Sequence, residues 1–209
     1  MKNFDWVRAC LQRAPSSVRE SHIRGDHDLN PDLSPAYPSQ PLRPAAVLIA
    51  LVDRADGFYV LFTRRTDDLY HHPGQICFPG GHIETSDQDA TAAALRETEE
   101  EIGLKAKHIT ILGTLDTYIT RTGFSITPVV AGVEPPFDLS PDPGEVADIF
   151  EVPLAFFRNP DNHQRLQREF EGNIRNFYAI PYGDYNIWGA TAGILVNLYQ
   201  SLIDGPPPN

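Results

Sequence analysis

Cysteine is nearly absent: the chain has 2 in 209 residues. Cys10 and Cys77 lie far apart in unlike surroundings and have no metal-ligand spacing. A disulfide framework and a thiolate metal site are therefore both excluded, and a reducing, cytoplasmic setting is expected. Cys77 falls in an apolar run and reads as a small core residue. Long apolar runs are also missing. No stretch approaches the roughly 20 residues that a membrane-spanning helix needs, so no membrane association is expected. Residues 1–20 are polar and amphipathic, without the apolar core of a signal peptide. Basic residues are scarce, with 17 Lys and Arg against 28 Asp and Glu and a net charge of −11. That balance argues against nucleic-acid binding. It also repels polyanions, so any phosphate chemistry here must depend on a metal and on local Arg, Lys and His. No internal repeat is visible.

What the chain does have is acid in an unfavourable place. Residues 90–95 are mostly strong helix formers, Ser86 and Asp89 can form a capping box, and Gly103 is a natural terminator. Glu97, Glu99, Glu100 and Glu101 then occupy the last turns of a helix, where the macrodipole already places roughly half a negative charge. Offsets of three and four residues put Glu97, Glu100 and Glu101 on one face, with Glu99 pointing elsewhere. Carboxylates converging there call for a cation, and hard oxygen ligands favour Mg²⁺ or Mn²⁺. A bare Glu run is more often a solvated helix face. The flanks argue otherwise: a Gly80-Gly81 turn lies upstream, Arg96 directly precedes the first Glu, and Gly103-Leu104 closes the run.

The remaining sequence frames this helix. Phe4, Val7 and Leu11 lie at helical spacing and predict a short amphipathic helix over 4–14. Residues 15–44 lose periodicity and contain Pro15, Pro31, Pro35, Pro38, Pro41 and Pro44, so an extended arm is expected. The organisation is then an arm at 1–41, a domain at 42–204 and a Pro-rich tail at 205–209. Strands are expected at 45–52, 58–63, 109–119, 124–133 and 148–152, with a short helix at 153–157. A hairpin at 166–180 should turn on Glu171-Gly172-Asn173, and a closing helix is expected at 188–203. This order suggests an α/β fold with a mixed sheet between helices. The arm's apolar stripe is too short to be stable alone. It should pack on the domain away from the acidic site, or on a neighbouring copy in a homodimer.

The run Gly80-Gly81 … Arg96-Glu97 … Glu100-Glu101 … Gly103-Leu104 resembles the Nudix box. The spacing departs in the first half: counting back from Arg96 puts Gln88 where the family's first Glu stands, leaving Glu84 or Asp87 to partner Arg96. The resemblance implies an α/β/α sandwich. The segment just before the box resembles the signature of the coenzyme A diphosphatase branch. Leu61, Thr63, Arg65, Gly74, Phe78, Pro79, Gly80 and Gly81 match in register, while Phe62, Thr66 and Tyr70 depart. Tyr70 replaces an Arg that could bind phosphate bidentately. His71 and His72 are weaker substitutes, and read first as structural or surface residues. Further segments, including 122–130, Glu145-Val146 and 187–194, look like the same branch, and 188–194 reads as the packed start of the last helix.

The implied reaction is metal-dependent hydrolysis of the phosphoanhydride of CoA or acyl-CoA to 3′,5′-ADP and 4′-phosphopantetheine or its acyl derivative. Glu97 and Glu101 are the expected main metal ligands, with Glu100 supporting and the Gly81 carbonyl approaching the ion. Arg96 should orient a carboxylate. Glu145, in a Pro/Gly-rich loop, is either a general base or a solvated loop acid. Arg65, Gly74, Gln75 and Phe78 are the expected substrate-binding positions, although Arg65 could instead pair with Asp67 or Asp68. One rival reading keeps the chemistry on a nucleotide sugar, ADP-ribose, a dinucleotide or a nucleoside triphosphate. Another is a nucleotide-binding module without turnover, which would have no need of a costly acidic cluster.

Overall fold

The computed structural model describes residues 4–12, 23–32, 41–68, 73–170 and 172–203. Among the described residues, four α-helices and twelve strands follow in chain order: α1 Asp5–Gln12, β1 Ile23–Gly25, β2 Arg43–Arg54, β3 Gly57–Arg65, β4 Ile76–Cys77, β5 Gly80–His82, α2 Ala90–Ile102, β6 Ile109–Thr114, β7 Thr117–Ile119, β8 Phe124–Val133, β9 Val146–Pro153, α3 Leu154–Arg158, β10 Gln164–Phe170, β11 Asn173–Tyr182, β12 Tyr185–Trp188 and α4 Ala190–Leu202. A nine-stranded mixed sheet runs β1-β7-β8-β2-β3-β4, with β5 on β2, β6 on β8 and β9 on β3. The β1/β7 and β2/β8 pairs are parallel and the others antiparallel.

Alternation along β2 separates the two faces of this sheet. Ala46, Leu48, Ala50 and Val52 pack with Ala93, Ala94 and Ile102 of α2. Ile49 and Leu51 point the other way, into a cluster holding Val7 of α1, Leu154 of α3 and Leu195 of α4. A strand buried on both faces must be apolar almost throughout, as this one is. The outcome is the α/β/α arrangement expected. Among the described residues, no helix is long and apolar enough to cross a membrane.

Several expectations need correction. The capping box from Ser86 to Asp89 does not form. Asp89 is itself the N-cap, its carboxylate accepting from Ala92 N–H at 2.8 Å, and α2 starts one residue later. The strand expected at 109–119 breaks into β6 and β7, separated by Leu115 and Asp116. The arm is not wholly extended connector: Ile23–Gly25 pairs in parallel with β7, and Asp26–Leu29 forms a 3-10 turn. Asn30 holds that turn down by accepting from Asn176 N–H at 2.8 Å and donating to Asn176 O at 2.9 Å. The hairpin at 166–180 belongs to a separate three-stranded sheet, β10-β11-β12. Trp188 ends β12 and is 37 % exposed, so it is neither core nor part of the last helix, which begins at Ala190. Residues 13–22, 33–40 and 205–209, Tyr70, His71, His72 and Glu171 lie outside the described residues.

The amphipathic stripe at the N-terminus docks on the same domain. Phe4 stacks on Phe58 at 4.8 Å between ring centroids, and Val7 is completely buried. This cluster lies across the sheet from α2.

Candidate active site

Three local devices set the acidic end of α2 in place. Gly103, at φ 71°, ends the helix in the left-handed region, and its N–H returns to Glu99 O. Two further helix-end carbonyls are satisfied from outside, Glu101 O by Asp142 N–H and Ile102 O by Ser140 N–H, each at 2.8 Å. Docking of that loop on the helix end also fixes the approach of Glu145, whose N–H donates to Asp142 O at 3.1 Å. On the other flank, β5 lies so close that a Cβ at Gly81 would stand 2.6 Å from the Glu97 carboxylate. Any side chain there would push the Glu97 carboxylate from its position.

Arg96 organises the exposed side of the cluster. Its Nε and Nη2 donate to the two oxygens of Asp87, both at 3.0 Å. Nη2 also reaches His82 O, and Nη1 donates to Glu97 Oε1 and Glu100 Oε2, all at 3.0 Å. Asp87, not Glu84, is thus the acid that partners Arg96. Glu84 contributes its backbone N–H to Asp87 at 2.8 Å. The hydrogen bonds from Arg96, followed by the Glu84 N–H, hold the Asp87 carboxyl below its usual range. A guanidinium is the one side chain that can serve a carboxylate fork and a carbonyl together.

Glu101 is the buried member, only 4 % exposed. Gly80 N–H donates to its Oε2 at 3.2 Å. Burial pushes its carboxyl up to about 8; the Gly80 N–H and Arg65 oppose this, and Glu145 and Glu97 reinforce it. Glu97 is also raised, first by desolvation, against the pull of Arg96, with Glu100 and Glu145 adding repulsion. Glu97, Glu100, Glu101 and Glu145 therefore share one electrostatic field. Glu99 is turned away and paired with Lys105 at 2.7 Å.

The expected substrate positions divide. Arg65 ends β3 beside Glu101 and Cys77, and its buried Nε has no hydrogen-bond partner among the described residues. Asp67 stands 4.0 Å from Arg64, on the neighbouring residue, so the expected alternative pairing of Arg65 with Asp67 goes to Arg64 instead. Gly74 turns the chain at φ 66°, and Gln75 O accepts from Arg65 N–H at 2.9 Å. Phe78 is corrected from ligand contact to core. It is 2 % exposed and stacks on Phe62 at 5.2 Å, so its side chain is out of reach of a substrate. Cys77 is no nucleophile: desolvation, then the Glu101 charge, pushes its thiol up to about 11. The Ser140–Asp142 contacts escaped sequence reasoning, because a Pro-rich loop carries no periodicity to say where it docks.

Among the described residues, no three acids stand close enough to form a ready-made metal cluster. The residues nonetheless suit a hard cation. The donors are all oxygen, two of the carboxylates are desolvated and raised, and no Cβ crowds the backbone at Gly81.

A Nudix domain model matches residues 42–171, a span that contains the whole arrangement. The chain belongs to the Nudix family. Hydrolysis of a phosphoanhydride in a nucleoside diphosphate linked to a second group is the chemistry that membership brings. An uncharacterized Nudix hydrolase, NudL, of Enterobacter sp. (strain 638) is 37 % identical over 156 residues, 75 % of this chain and 81 % of that protein. Nudix hydrolase 15, mitochondrial, of Arabidopsis thaliana is 35 % identical over 170 residues, 78 % of this chain and 60 % of that one. The crystal structure of the M. smegmatis Nudix hydrolase RenU shares the fold, with a TM-score of 0.55 at 19 % identity, over 81 % of this chain and 91 % of RenU.

Proposed function

We propose that this Nudix hydrolase cleaves CoA or acyl-CoA to 3′,5′-ADP and 4′-phosphopantetheine or its acyl derivative, using Mg²⁺ or Mn²⁺. The observation that carries the substrate reading is the pairing of β3 with β4. It sets Thr63 opposite Cys77 and Arg64 opposite Ile76, and so brings the two halves of the CoA-type signature together at the acidic site. Arg65 is thereby delivered next to Glu101 with an unsatisfied Nε. A fixed guanidinium at that place suits a diphosphate, which an acidic protein of this charge would otherwise repel.

Glu97, Glu101, Glu100 and the Gly81 carbonyl would hold the ion, which supplies charge neutralisation on the phosphate oxygens and a lowered water pKa. Arg96 keeps Glu97 and Glu100 at one orientation by bonding an oxygen of each. Glu145, exposed and anchored through its backbone to Asp142, would take a proton from the attacking water while the bridging oxygen leaves with the second phosphate. Arg65 balances negative charge beside the buried carboxylate.

Product analysis with CoA, dephospho-CoA, NADH and ADP-ribose tests the substrate. CoA should have the highest kcat/KM, and a clear preference for ADP-ribose or a nucleoside triphosphate would overturn the reading. If an Arg at position 70 contributes one charge-assisted contact, Tyr70→Arg should raise kcat/KM for CoA by about 1.5–3 kcal/mol at most.

A further inference from the structure

The three-stranded sheet ends in an unusual edge. β10 pairs with β11 alone among the described residues, and all seven of its residues, Gln164 to Phe170, are exposed. A long uncovered edge presents a row of unpaired N–H and C=O groups ready to pair with another strand. Its outer surface also carries Leu166 at 41 % and Phe170 at 48 % exposure.

We infer that β10 is a homodimer contact, pairing antiparallel with β10 of a second copy across a two-fold axis through Gln167. In a symmetric antiparallel pair, residue i faces residue j of the other copy with i plus j constant, and both must have the same orientation in the ladder. That restricts the register to those centred on a residue. Centring on Gln167 is the one register that uses the whole strand. It sets Arg165 opposite the other copy's Glu169 at both ends of the pair. It also sets Leu166 opposite Arg168, whose aliphatic stem can cover it. Shifting the centre to Arg168 or Arg165 opposes arginine to arginine, and shifting it to Glu169 opposes two glutamates. Length selects this register over one centred on Leu166, and length and charge together select it over those centred on Arg165, Arg168 or Glu169. Arg165 lies over the Tyr178 ring at 5.5 Å and donates to its hydroxyl at 3.3 Å, on the sheet surface that it shares with Glu169.

Charge reversal tests both the contact and its register. By sedimentation equilibrium with the full chain at about 50 µM and low salt, the wild type should be dimeric. Arg165→Glu and Glu169→Arg each create two like-charge pairs and should each weaken dimerisation by about tenfold or more. Arg165→Glu combined with Glu169→Arg restores opposite charges and should restore the dimer. All variants should keep wild-type circular dichroism, since both side chains are exposed. A monomeric wild type, a dimer indifferent to the single reversals, or a double variant no better than the singles would each overturn the inference.

Discussion

The two faces of the main sheet are built from different material. Toward α2 the packing is small: Ala46, Ala50, Ala93, Ala94 and Ala131 meet with a few larger aliphatics. Toward α1 and α4 it is made of rings, with Phe4, Phe58, Phe62, Phe78, Phe150 and Phe157 in one cluster. Alanine at the contact lets a helix lie close on a sheet. That closeness is what puts Glu101 within hydrogen-bond distance of Gly80 N–H and Glu97 against Gly81. Aromatic side chains bury far more area each, and supply the larger share of the hydrophobic stabilisation. Reactivity and stability are thus separated by the thickness of one sheet. The α2 side carries desolvated carboxylates that cost stability; the ring-rich side offsets them.

The largest test strikes the α2 side. Glu101→Gln or Glu97→Gln should lower kcat by about 10²-fold or more while the fold survives, because charge stabilisation at the phosphate is worth several kcal/mol. Without divalent ions, neither substitution should lower Tm. Glu101 adds a pH signature. In the folded chain it keeps its proton up to about 8, whereas unfolded it ionises near the usual 4.5. Between those values the unfolded state binds fewer protons, so stability falls as pH rises and levels off above about 8. In chelator, thermal melts of wild type should decline across that window, and those of Glu101→Gln should decline less. Near-normal turnover by both variants would break the separation of faces.

The opposite result is expected across the sheet. Phe4 is 7 % exposed, stacks on Phe58, and fills the space above Gly132, where a Cβ would meet its ring at 2.6 Å. Phe4→Ala should destabilise by about 3 kcal/mol, lowering Tm by about 6–12 °C, with kcat retained below the transition. Loss of activity in the folded variant would place the arm in the catalytic machinery.

How legible each side was in the sequence follows from what reads locally. The acidic helix was legible because its propensity, terminator and charge all lie within one short segment; Glu97 and Glu100 share Arg96 and Glu99 turns away to Lys105, although the acids do not gather into a ready-made metal cluster among the described residues. β2, β3 and β8 were legible as apolar runs. What failed depends on contacts distant in sequence. β1 and β5 are only three residues long and exist because β7 and β2 provide partners. Asp87 as the partner of Arg96 required knowing how the loop before α2 folds back. Phe78 was misplaced for the same reason: a signature position can serve by packing under the site, which a motif cannot distinguish from touching the ligand.

Arg96 gives a middle-sized effect that sharpens the contrast within the α2 side itself. Its five hydrogen bonds tie the loop residues Asp87 and His82 to Glu97 and Glu100. Lysine keeps the charge but has no planar fork. Arg96→Lys should lower kcat by about tenfold, through misplaced carboxylates, and lower Tm by a few degrees. A variant with wild-type kcat but reduced Tm would make Arg96 a brace of the loop only.

The smallest effect separates the two ends of α2. Asp89 accepts from Ala92 N–H at the end where negative charge suits the helix dipole, three turns from the carboxylates that oppose it. Removing this cap by Asp89→Ala should cost about 1 kcal/mol, or about 2–4 °C in Tm, because one N-terminal N–H loses its partner. The acid end is held independently, by Gly103 and by the Ser140 and Asp142 N–H groups. Turnover below the melting transition should therefore match wild type. If Asp89→Ala instead lowered kcat in proportion to stability, the helix would be fraying as a unit. The acidic end would then owe its position to the whole of α2 rather than to the loop docked upon it.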